Sequence, residues 1–172
     1  MSAKARRFWP LLFLLVVADC STKRLAETHL TPPYVPHEVI GEYLQLTLAH
    51  NPGAAFSISV GPMSRVVFST LAIVVLLVLW RLYRETASSD RWQSIALALI
   101  AGGALGNLLD RLRSARGVVD FIDIGVGSHR LWTFNIADVG VTAGGALLAL
   151  LLLRRSGEEP VVASTPKEDA SP

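Results

Sequence analysis

The sequence predicts an all-α membrane protein of four transmembrane helices, with a small β element on one side. Three observations carry that prediction. Half of the 172 residues are hydrophobic (51%) and mean hydropathy is +0.44, which leaves too little polar surface for a soluble domain. Four segments, residues 8–26, 64–82, 92–109 and 134–153, stay apolar over about 18 to 20 residues, enough to cross a ~30 Å hydrocarbon core as helices. Acids and amides recur at helical spacing near the ends of those segments, where lipid would leave them unpaired.

The first segment follows Lys4, Arg6 and Arg7 and runs into Asp19, Cys20, Ser21, Thr22 and Lys23. A basic start, an apolar middle and a cysteine also describe a cleaved lipoprotein signal. Such a signal needs a small residue directly before the cysteine, and Asp19 is bulky and charged, so a retained helix is favoured; the cleaved alternative requires loss of residues 1–19. Asp19 and Lys23 stand at i and i+4 and can pair. For these two residues alone, a neutralising salt bridge at membrane depth is the simpler reading. Cys20 is the only cysteine, so no internal disulfide forms, and it reads as a small buried apolar residue.

Residues 30–61 are not helical. Leu44, Leu46 and Leu48 alternate with Tyr43, Gln45 and Thr47, a strand with one apolar face that can lie on the bilayer surface. It enters HNPGAAFS, where Pro52 and Gly53 make a turn that aims Asn51 back toward the helices. The second helix follows, and residues 84–91 link it to the third.

The third helix ends AGGALGNLLDRL. Asn107, Asp110 and Arg111 share one face, which must point into the bundle. Gly102 and Gly106 form a small-xxx-small pair that admits a neighbouring helix. A second non-helical region, residues 112–133, holds RGVVDFIDIG. Asp120 is framed by Val118, Val119, Phe121 and Ile122, a setting that raises a carboxylate's pKa by desolvation. Asp123 lacks that frame on its C-terminal side and reads as solvated. The fourth helix carries Asn135 and Asp138 at i and i+3, with Gly140 and Gly144 as a second close-packing pair. The remaining residues, 156–172, are rich in Pro, Ser and acids and read as a disordered tail.

Four spans put both termini and the 84–91 link on one side. Lys4, Arg6, Arg7, Arg81, Arg84, Arg91, Arg154 and Arg155 flank helix ends there, against Lys23, Arg24, Arg65, Arg111, Arg113, Arg116 and Arg130 opposite. That bias makes the terminal side cytoplasmic. Arg113 and Arg130 read as solvated surface residues. A net charge of +2, without interleaved basic and aromatic residues, speaks against nucleic acid as a partner.

The non-terminal side gathers Asp19, Asp110, Asp120 and Asp138 with Asn51, Asn107 and Asn135, more than a packing network needs. No G-x-S-x-G and no H-E-x-x-H occurs. The histidines, His29, His37, His50 and His129, are scattered outside the apolar spans and read as solvated. Two carboxylates sharing one proton remain: one takes a proton from water while the other polarises a carbonyl. That is aspartic proteolysis.

The motifs DxxTK (residues 19–23), NPGAAFS (51–57), GGALGNLLDRL (102–112), VVDFID (118–123) and FNIAD (134–138) resemble, in the same order, those of lipoprotein signal peptidase, signal peptidase II. The resemblance implies a four-helix inner-membrane aspartic protease, residues 1–155, with a small periplasmic β-cradle and its active site at the periplasmic or outer face. It implies removal of signal peptides from prolipoproteins whose cysteine carries diacylglycerol, a monomer in contact with membrane lipid, and no metal or other cofactor. By the same resemblance Asp120 and Asp138 are the catalytic pair. Asn51, Asn107, Asp110, Arg111 and Asn135 order the site or contact substrate, and Asp19 and Lys23 support the first helix. The family usually has Gln after the first acid, where this chain has Cys20. The rival class, a transporter with an intramembrane proton relay, is disfavoured because no inverted repeat occurs and the acids do not line a path across the bilayer.

Overall fold

Helix α1 (Ala3–His29) starts at Ser2, whose hydroxyl accepts from Ala5 N at 3.2 Å and satisfies a first-turn donor. Strands β1 (His37–Ile40) and β2 (Leu44–Asn51) follow, then a short 3₁₀ turn, Gly61–Met63, that leads into α2 (Ser64–Glu85). Helix α3 (Arg91–Arg113) is capped by Asp90, which accepts from Gln93 N at 3.0 Å. Strands β3 (Val118–Val126) and β4 (His129–Phe134) lead into α4 (Ile136–Ser156). The computed structural model describes residues 2–53, 60–127 and 129–156. Residues 54–59 of HNPGAAFS and the expected tail beyond Ser156 lie outside them.

Three helical segments, Gly61–Glu85, Arg91–Arg113 and Ile136–Arg155, are long and apolar enough to cross a membrane. The expected first span is not among them. Helix α1 has the length, 27 residues, but Asp19, Lys23, Arg24 and Glu27 crowd its C-terminal half. Helix α3 is the centre of the bundle and packs on α1, α2 and α4. Phe8, Leu12, Leu79, Tyr83, Leu97, Ala98 and Ala101 form the core among α1, α2 and α3. The glycine pairs let α3 approach its neighbours: a Cβ on Gly102 would lie 3.2 Å from Leu12 O, and one on Gly144 2.7 Å from Ala96 O.

The second non-helical region, expected over residues 112–133, is borne out apart from its ends. Helix α3 runs on to Arg113, and β3 and β4 form a hairpin in an antiparallel sheet of order β1-β2-β3-β4. Strand β3 lacks the alternation that would mark it, because its first four residues are all buried; a strand covered on both faces reads as one apolar run. Phe134 belongs to β4, so α4 begins later than expected. A second core, Ala26, Leu30, Leu48, Val119 and Phe121, seals the sheet against the end of α1.

Candidate active site

The sheet register sets the first carboxylate. Asp120 lies opposite Ala49 in the β2–β3 ladder and is 4% exposed. Its Oδ1 accepts from Asn135 Nδ2 at 2.6 Å. Burial pushes the Asp120 carboxyl up to about 7; the neighbouring Asp138 charge adds to this, and hydrogen bonds from Asn135 and Asn51 oppose it.

The second carboxylate is set by a helix start. Asn135 precedes α4 as its cap: Asp138 N donates to Asn135 Oδ1 at 3.0 Å, and Asn135 N donates to Asp138 Oδ2 at 3.2 Å. This reciprocal pair is a capping box, with Asp138 in place of the usual Glu. The i, i+3 spacing seen in the sequence is therefore a cap geometry. Asn135 is fully buried and also donates from Nδ2 to Val119 O at 3.3 Å, so it ties β3 to α4.

Helices α1 and α3 complete the cluster. Asn107 Nδ2 donates to Asp138 Oδ1 at 2.8 Å, while its Oδ1 accepts from Lys23 Nζ at 2.9 Å and Asn135 Nδ2 at 3.2 Å. Lys23 Nζ lies 2.8 Å from Asp19 Oδ2 and 2.8 Å from Asp110 Oδ2. Asp19 Oδ1 accepts from Ala137 N at 2.9 Å, in the first turn of α4. Asp110 Oδ2 accepts from Val119 N at 3.3 Å. Arg111 donates to Gly53 O at 2.7 Å and Asn107 O at 3.2 Å, while Asn51 Oδ1 accepts from Gly53 N at 3.0 Å. The turn after β2 is thus held over the same cluster, and every predicted site residue falls within it.

Asn51, Asn107, Arg111, Asp120 and Asp138 line a cavity of about 1050 Å³. Its walls are Phe68, Leu71 and Val75 of α2, Val141 of α4 and Trp132 of β4. The lining thus combines the polar cluster with apolar side chains of α2, α4 and β4, and Phe68 lies beside Arg111, whose guanidinium stands 5.9 Å from the ring centroid. Among the described residues, α2 packs chiefly on α3, and no comparable packing joins it to α4.

The sequence profile of the family described as signal peptidase (SPase) II matches residues 11–154. The chain belongs to the signal peptidase II family. It is 39% identical over 161 residues to the lipoprotein signal peptidase of Pseudomonas putida, covering 91% of this chain and 93% of that one. The lipoprotein signal peptidase of Moorella thermoacetica is also 39% identical, over 152 residues, with 87% and 95% covered. Two solved structures, each a bacterial membrane enzyme, share the fold. One has a TM-score of 0.79 at 29% identity over 90% of this chain and 92% of its own. The other has 0.74 at 32% identity over 84% and 90%.

Within this signal peptidase II fold, three residues depart from their expected solvation. Asp123 is 8% exposed and pairs with Arg130 Nε at 2.9 Å, because the hairpin folds Arg130 back across β3; Arg130 is accordingly half-buried. His50 shares its strand face with Leu48, and its side chain is 9% exposed, 3.8 Å from Glu27 Oε1. Burial pushes the His50 imidazole below its ordinary value and the Arg116 charge adds to this, while Glu27 opposes. Sequence reading also missed the cavity walls. Phe68 and Trp132 carry no spacing signal, since α2 and β4 meet across the cavity only in the folded chain.

Proposed function

We propose that this signal peptidase II acts as an aspartic endopeptidase that removes the signal peptide from bacterial prolipoproteins, cutting just before a diacylglyceryl-modified cysteine. The observation that carries the reading is the linkage of Asp120 and Asp138 through Asn135 and Asn107 on a cavity that they line together with apolar side chains of α2, α4 and β4. The dyad holds one proton, on Asp120. Asp138, whose oxygens accept from Asn107 and Asn135, takes a proton from water as the water oxygen bonds to the scissile carbonyl carbon. Asp120 gives its proton to the carbonyl oxygen, yielding a neutral gem-diol. On collapse, the C–N bond breaks, the diol returns a proton to Asp120, and Asp138 delivers its proton to the leaving amine. Both carboxyl groups end as they began, and no metal is needed at any step.

The signal segment enters laterally between α2 and α4, and its lipid chains lie along Phe68, Leu71, Val75 and Val141. Helix α1 is the fourth span: 27 residues reach about 40 Å as a helix, and the Asp19–Lys23–Asp110 cluster pairs its buried charges inside the bundle. Residues 1–155 form one peptidase domain that works as a monomer in the inner membrane. The site faces the periplasm or outer surface, and the tail is cytoplasmic.

The test is cleavage of a diacylglyceryl-modified prolipoprotein by purified protein. Asp120→Asn and Asp138→Asn should each lose nearly all turnover, and the double variant should lose little more, since residues acting as a unit are strongly non-additive. Activity should persist in EDTA. Near-normal cleavage by either folded single variant would sink the dyad, and loss in EDTA with recovery on adding zinc would replace it with a metal mechanism.

A further inference from the structure

We propose that Lys23 is a positioning residue for the Asp138 carboxylate, acting through the Asn107 amide; this rests on the reading of Asp120 and Asp138 as the catalytic pair. An asparagine side chain can present either its oxygen or its nitrogen to a neighbour. An ammonium group has three donors and no acceptor, so it accepts only the oxygen as partner. Lys23 Nζ lies 2.9 Å from Asn107 Oδ1, which turns Nδ2 onto Asp138 Oδ1 at 2.8 Å. The Asn135 amide donates to the same Asn107 oxygen and favours the same orientation.

Lys23 is itself fixed. It is 2% exposed and stands between Asp19 Oδ2 and Asp110 Oδ2, each at 2.8 Å. Those carboxylates are held by Ala137 N and Val119 N, within the two segments that carry Asp138 and Asp120. Neutralising buried charge would need only the two carboxylate contacts. The third contact, to Asn107, carries the position of α1 to the dyad.

Without Lys23 the amide can turn its oxygen toward Asp138, an acceptor to which a protonated carboxyl can donate and which repels a carboxylate. The charged groups around the two residues are Asp19 and Asp110 beside Lys23, and Asp120 and Arg111 near Asp138. Lys23→Met alone strands two acids. Lys23→Met with Asp19→Asn keeps the net charge of the cluster and is the better folded-state comparison.

The experiment measures kcat and KM against pH for the full-length protein with a diacylglyceryl prolipoprotein. In Lys23→Met/Asp19→Asn, kcat should fall about tenfold or more with KM within about twofold, and the acidic limit of the profile should rise by about one pH unit. Asn107→Leu leaves all three charges in place and should raise the same limit, and adding Lys23→Met together with Asp19→Asn to it should shift the limit no further. An unmoved limit in folded Asn107→Leu overturns the inference, as does an unmoved limit in the folded double variant. Asp138→Asn separates the two ideas. If it is inactive while these limits stay put, only the role of Lys23 falls; if it cleaves normally, the catalytic reading falls first.

Discussion

At the scale of single residues, the site works against stability. The Asp120 carboxyl is raised from 3.8 to about 7, so the folded chain holds that proton more firmly than the unfolded chain does. Its contribution to stability is fully present below about pH 4 and is lost as pH rises through about 7. Asp120→Asn keeps an acceptor for Asn135 and removes the titration. Its melting temperature in detergent should therefore rise relative to the unsubstituted protein between about pH 5 and about pH 8. A constant difference across that range would mean that Asp120 is not held protonated. Activity should decline above about pH 7, as the proton needed by the carbonyl oxygen leaves, and its limits belong to the coupled pair.

At the scale of elements, close packing of α3 and the β3–β4 hairpin hold the two carboxylates. The glycines named from spacing do lie at contacts, but Gly103, outside both GxxxG pairs, is as tight. A Cβ there would collide with the Ala137 carbonyl oxygen and lie 2.7 Å from Val141 Cγ2, whereas Gly145 has nothing within 4 Å. Gly103→Ala should cost about 1–3 kcal/mol and shift the first turn of α4, reducing turnover; Gly145→Ala should be silent in both thermal unfolding and cleavage. On the hairpin, Arg130 Nη2 donates to Asp123 O at 2.9 Å and Nη1 to Glu42 O at 2.5 Å, beside the Asp123 ion pair. This clasp holds β4, which carries Trp132 into the cavity wall. Arg130→Gln should cost about 1–3 kcal/mol and raise KM more than it lowers kcat; an unchanged KM would separate the clasp from substrate placement.

At the scale of the whole molecule, the charged ends of the helices are used in assembly. Lys4 Nζ donates to the carbonyls of Tyr83 and Thr86, each at 2.7 Å, and so closes the end of α2 against the start of α1. Arg155 pairs with Asp90, joining α4 to the α2–α3 link. Basic residues on the other side serve likewise: Arg65 donates to Arg111 O at 2.6 Å and Leu112 O at 2.9 Å, capping α3. Four spans predict that Ser88 and Glu38, both exposed, lie on opposite sides of the membrane. Single cysteines there, in a Cys20→Ala background, should label differently on intact spheroplasts with an impermeant thiol reagent: Glu38→Cys at once, Ser88→Cys only after permeabilisation. The reverse pattern would invert the topology.

The sequence by itself determined the membrane class, three of the spans and the membership of the polar cluster. Hydropathy and i, i+3 or i, i+4 spacing are local, and polar groups barred from lipid have nowhere to go but inward. Burial of Asp120 was legible for the same reason, in its run of apolar neighbours. Only the tertiary structure decided how those residues connect. Asn135 became a cap because Phe134 was drawn into β4, and Lys23 reached Asn107 because α1 packs on α3. The β3 strand stayed hidden because burial on both faces erases the alternation that marks a strand. Asp123, Arg130 and His50 were misjudged because their burial comes from elements distant in the chain. Cavity walls from α2 and β4 belong to the same class, since no local pattern encodes what a residue meets across the fold.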